Sequence, residues 1–100
     1  MHYLLFYEVG EGYVERRVPF RNLHLALVRE SYDRGDLVLA GALADPVDGA
    51  MLVFRSAEAA QIFPKSDPYV LNGLIKSWKV RGWNTVIGDG ASLPPPTAAS

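Results

Sequence analysis

The chain has 100 residues, 49% of them hydrophobic and 21% charged, the proportions of one small folded domain rather than of a disordered segment or a chain with two cores. Its 10 Lys and Arg against 11 Asp and Glu leave a net charge of −1, without the basic excess that neutralising nucleic-acid phosphates requires, so no nucleic-acid partner is expected. With no Cys and only 2 His, a disulfide framework, a thiolate metal site, a thiol nucleophile and a His-rich zinc site are all excluded.

Residues 1–9 are rich in aromatic and aliphatic side chains and run into Gly10-Glu11-Gly12, the pattern of a strand followed by a loop. Neither of its faces is polar: Tyr3, Leu5, Tyr7 and Val9 alternate with His2, Leu4, Phe6 and Glu8. The apolar stretch at residues 3–7 lacks a basic flank and a cleavage site, and Glu8 interrupts it, so no targeting segment is expected. Every apolar run is also far shorter than the roughly 20 residues that span a bilayer, which makes a soluble, cytoplasmic protein the expectation.

Residues 19–34 suit an amphipathic helix opened by Pro19 and closed by Gly35, with Leu23, Ala26 and Leu27 on the apolar side and Glu30 and Arg34 on another. The apolar run at 37–43 is a strand, 45–49 a turn, and 50–55 a third strand. Ser56 is a natural N-cap for a helix over 57–63, which Pro64 is expected to stop. Asp67 and Pro68 repeat the start signal for a turn ending at Asn72-Gly73. Residues 75–87 read as a last, long strand that bends or bulges at Gly82. Beyond Gly88, the three successive prolines and the lack of periodicity predict a flexible tail over 89–100, leaving 1–88 as the folded domain.

The element order β-α-β-β-α-β is that of an α+β, ferredoxin-like antiparallel sheet with both helices on one face. Strands apolar on both sides then need a second cover that two helices cannot supply. A homodimer packing sheet against sheet meets that need.

Two residues carry the candidate chemistry. His24, on the first helix, has three, four and seven positions onward Leu27, Val28 and Ser31, so it flanks the buried stripe. It reads either as a packed helix histidine or as an acid-base group. Asp67 reads either as a helix cap or as a carboxylate that orients an imidazole. Arg21 shares a helix side with His24 and could hold an anionic group, and Tyr3, Tyr7, Tyr69, Trp78 and Trp83 are core or pocket aromatics. No dinucleotide or phosphate-loop pattern occurs, and Ser31 and Ser66 lack a nucleophile motif.

Arg21-x-x-His24-Leu25, Gly35-x-Leu37-x-x-Ala40-Gly41, Ser56-x-Glu58-Ala59-Ala60, Asp67-Pro68-Tyr69-Val70 and Gly73 together resemble the YCII-related (YciI-like) family, over residues 3–87. The resemblance implies a subunit of the dimeric α+β barrel superfamily and a site built on a histidine and an aspartate. The family's histidine falls on His24, its Asp-Pro aspartate on Asp67, and the arginine before the histidine on Arg21. Tyr69 and Gly41, within the matched motifs, join Arg21 as substrate-binding candidates. Two departures, Ala42 where the family often has Pro and Asn22-Leu23 where Pro-Ala or Pro-Glu is common, bear on the shape of the pocket. A branch of the family resembling aromatic-ring dehydrochlorinases implies lyase or isomerase chemistry on a small cyclic or hydroxylated substrate, with no cofactor and no metal. The alternative is a non-catalytic module that binds a small metabolite or only dimerises.

Overall fold

The computed structural model describes residues 1–91. β1 (His2–Val9) is followed by a short α1 (Tyr13–Arg16), a 3-10 turn (Val18–Phe20) and α2 (Arg21–Asp33), then by the hairpin of β2 (Leu37–Ala42) and β3 (Gly49–Phe54). α3 (Ala57–Ser66), α4 (Pro68–Leu71) and β4 (Ile75–Trp83) complete the chain order. The four strands form one antiparallel sheet in the order β2-β3-β1-β4, so the expected βαββαβ ferredoxin-like arrangement is the one observed.

Alternation along the strands divides the sheet. Leu5, Tyr7, Leu52 and Phe54 point to the helical side and are buried, and Phe63 of α3 closes over them. Leu4, Phe6, Met51 and Val53 stand half-buried on the other side, where Leu39 is 70% exposed. Residues 84–87 and 89–91 border a hollow of about 370 Å³ on that side, together with His2, Leu39, Val53 and Trp83.

Local rules account for the helix ends. α2 stops at Gly35, whose φ of +90° favours glycine; its N–H donates to Tyr32 O and that of Asp36 to Ser31 O, the paired bonds of a Schellman motif. Ser56 caps α3 as expected, its Oγ accepting from Ala59 N–H at 3.1 Å.

Several expectations are corrected. The predicted helix over 19–34 begins as a 3-10 turn containing Pro19 and becomes α-helical only at Arg21. Its buried stripe is His24, Leu27, Val28 and Ser31, while Leu23 and Ala26 face solvent, because the helix is rolled so that its inner side meets β2 and the start of α4. Pro64 does not end α3, which continues to Ser66; a proline lacks the N–H for its own helical bond, and only two residues of helix follow it. β4 ends at Trp83 rather than near residue 87, and Gly82 pairs regularly with Tyr3. A Cβ there would lie 2.8 Å from Sδ of the exposed Met1, a flexible side chain that can move aside, so neither a bulge nor packing requires glycine. The irregularities fall instead between Glu8 and Val9 and between Leu37 and Leu39. Most of the expected Pro-rich tail lies outside the described residues.

Candidate active site

Asp67 sits between α3 and α4 with an extended backbone (φ −73°, ψ 121°), ending one helix and capping the next. Its Oδ1 accepts from Tyr69 N–H at 3.0 Å, the cap expected of an Asp before Pro at a helix start. The cap is only part of its role. The same Oδ1 lies 2.7 Å from His24 Nδ1, and Oδ2 accepts from the Tyr7 hydroxyl at 2.7 Å. The side chain is 0% exposed, so its polar atoms depend on these three donors for what water would otherwise supply.

α2 presents the His24 ring to this carboxylate from its inner stripe. The ring stacks on Tyr69 with centroids 3.8 Å apart and planes at 6°, and meets Phe63 edge-on at 6.4 Å. Stacking on one face and a hydrogen bond at Nδ1 leave the ring little freedom to turn. Because the carboxylate oxygen accepts, Nδ1 carries the proton, and the neutral ring offers Nε2 as its basic atom. This is the orientation that lets an imidazole act as a general base.

Tyr7, read from the sequence only as a core or pocket aromatic, is a third member of this cluster. Alternation with Leu5 shows that its ring turns inward, but only the folded chain shows its hydroxyl meeting Asp67. β1 holds it between Ala50 of β3 and Trp78 of β4. Burial, reinforced by the Asp67 carboxylate, raises its pKa far above the ordinary phenol range, so it remains a hydrogen-bond donor.

His24, Tyr7, Arg21, Tyr69 and Gly41 border one cavity of about 310 Å³, with Tyr13, Arg17 and the small residues Ala40, Ala42 and Ala50. Asp67 is not among the residues that border it; it hydrogen-bonds to two that do, His24 and Tyr7. Gly41 lines the cavity without a steric need for glycine, since a Cβ would meet nothing within 4 Å. The Tyr69 hydroxyl is buried with no hydrogen bond of good geometry and stands beside the Arg21 guanidinium; burial raises its pKa while Arg21 and Arg17 oppose the rise. The remaining polar candidates are elsewhere. His2 Nδ1 lies 2.6 Å from Thr85 Oγ1, and the Ser31 hydroxyl donates to Leu27 O. Among the described residues no group of three or more His, Cys, Asp and Glu side chains is placed to hold a metal ion.

No protein-family model matches the chain. It is 30% identical, over 97 residues, to Protein YciI of Escherichia coli and to Protein YciI of Shigella flexneri, alignments that cover 86% of this chain and 99% of each relative. The chain belongs to the YciI family. A solved structure shares the fold of this YciI-family chain at a TM-score of 0.71 and 19% identity, over 86% of this chain and 96% of the other: 5-chloro-2-hydroxyhydroquinone dehydrochlorinase (TftG) from Burkholderia phenoliruptrix, in complex with 2,5-dihydroxybenzoquinone. A NIPSNAP family protein from Agrobacterium tumefaciens follows at a TM-score of 0.55 and 13% identity, over 93% of this chain and 97% of the other. Both likenesses are of fold, and they agree with the ferredoxin-like arrangement that the element order implies.

Proposed function

We propose that this chain is a small-molecule enzyme of lyase or isomerase type, working by acid-base chemistry on a small cyclic or hydroxylated substrate in the 310 Å³ cavity. The observation that carries the reading is the 2.7 Å contact between His24 Nδ1 and a fully buried Asp67. His24 Nε2 takes a proton from the substrate. The electron pair left behind expels a leaving group or shifts a double bond, and the imidazolium returns the proton to the leaving group or the product. Asp67 fixes the tautomer and steadies the imidazolium; Arg21, Tyr69 and Gly41 form the binding wall. The scheme draws on no cofactor and no metal. Support for a ring substrate comes from TftG, whose name describes dehydrochlorination of a hydroquinone and whose structure holds 2,5-dihydroxybenzoquinone.

The test is turnover of 5-chloro-2-hydroxyhydroquinone and related hydroxylated rings by the wild type and by His24→Ala. A positioned acid-base group contributes about 10² to 10⁴ in rate, so the variant should lose turnover on that order while remaining folded. Turnover that survives the substitution sinks the mechanism. A ring compound that binds and emerges unchanged favours the non-catalytic reading.

The same proposal includes a cytoplasmic homodimer joined through the open sheet faces. Leu4, Phe6, Met51 and Val53 beside an exposed Leu39 form a surface whose burial would be favourable. No helix among the described residues is long and apolar enough to cross a membrane.

A further inference from the structure

Arg17 and Arg21 lie four positions apart at the entry to α2, and both border the cavity that contains His24. Neither forms an ion pair with a carboxylate among the described residues. At the far end of the same helix the arrangement is different: Arg29 pairs with Asp33, and Arg34 with Glu30 and Asp36. The two cavity arginines have aromatic residues as neighbours instead. The Arg17 guanidinium lies over Tyr13, 5.3 Å from the ring centroid, and that of Arg21 stands beside the buried Tyr69 hydroxyl, on which both positive charges act. Neither an aromatic face nor a protonated phenol neutralises a guanidinium, so both charges remain free to meet an anion.

The rest of the cavity offers no competing charge. No Asp or Glu borders it, and the Asp67 carboxylate next to His24 and Tyr7 is occupied by its three donors. β2 and β3 line the cavity with the small apolar side chains Ala40, Ala42 and Ala50, and the volume of about 310 Å³ is at the small end for a ligand site. That is room for one ring and a substituent.

We propose that the cavity binds a monocyclic anion, its carboxylate or ring oxyanion held between Arg17 and Arg21 and its ring lying on the alanine wall with its edge toward His24. This deepens the acid-base reading by assigning the substrate its charge, and adds Arg17 as a specificity-determining residue.

The test uses benzoate and benzamide, two rings of nearly the same shape of which one is charged. Each is titrated into the full chain at neutral pH and low salt while the His24 ring and arginine side-chain signals are followed by NMR. Benzoate should perturb His24, Arg17 and Arg21 and bind at least about tenfold more tightly than benzamide, and added salt should weaken it. Arg17→Gln and Arg21→Gln should each cost about tenfold or more, the scale of a lost charge-assisted hydrogen bond, in protein whose spectrum shows it still folded. Equal binding of both probes, no benzoate binding, or undiminished binding by the Arg17→Gln/Arg21→Gln double variant overturns the proposal. Benzoate has no leaving group, so this result is independent of catalysis. A chain that binds benzoate through both arginines and turns over no ring compound keeps this inference and loses the enzymatic one.

Discussion

Asp67 joins three separate parts of the chain: Tyr7 on the central strand, His24 on α2 and the backbone of Tyr69 on α4. Removing any one donor leaves a buried oxygen short of a partner. Tyr7→Phe keeps the ring and deletes only the hydroxyl, so it should lower stability by about 1.5 to 3 kcal/mol in urea unfolding at neutral pH, the worth of a hydrogen bond to a charged group. It also carries a pH signature. The folded state holds the Tyr7 phenol far above its ordinary value of 10.0, while the unfolded chain releases that proton near the ordinary value. The contribution is therefore complete below about pH 10 and is lost as the pH rises further, at about 1.4 kcal/mol per pH unit for this one group. Wild-type stability should fall more steeply than that of Tyr7→Phe across that alkaline range. Parallel curves would show that Tyr7 does not hold its proton.

At the scale of the element, the helix ends were the most legible features, because a cap is a local contract between neighbouring residues. Ser56→Ala should cost about 1 kcal/mol in the same unfolding measurement, since it deletes the acceptor for Ala59 N–H; a loss near zero would mean that water caps α3 equally well. Gly35 and the Asp67-Pro68 start were readable on the same grounds. The facing of α2 was not. Leu23 and Ala26 look like core by composition, yet the helix turns His24 and Ser31 inward in their place, and Ser31 does so with its hydroxyl satisfied by Leu27 O. Helical periodicity specifies that one stripe is buried; the elements packed against the helix choose which.

At the scale of the molecule, the sheet leaves an apolar face on the side away from the buried core. If two copies meet there, the wild type should sediment at twice the chain mass at micromolar concentration, and Leu39→Asp, placing a charge on that face, should shift it toward the single-chain mass. A wild type that sediments as one chain removes the dimer. The same geometry bears on the site, since β2 contributes Ala40, Gly41 and Ala42 to the cavity wall while Leu39 beside them belongs to the open face.

Local chemistry in the sequence determined the element order, the caps and the two-sided apolar strands, and through them the ferredoxin-like fold, because alternation, capping and turn residues act between near neighbours. It also singled out His24, Asp67 and Arg21. Tertiary structure decided what those residues do. Whether Asp67 is a cap alone or also the partner of an imidazole depends on a contact between residues 43 positions apart, and no local signal carries that distance. Only packing α2 against the sheet beside the α3–α4 junction brings His24 and the Tyr7 hydroxyl onto one carboxylate and leaves two arginines bordering a cavity without an Asp or Glu on its wall.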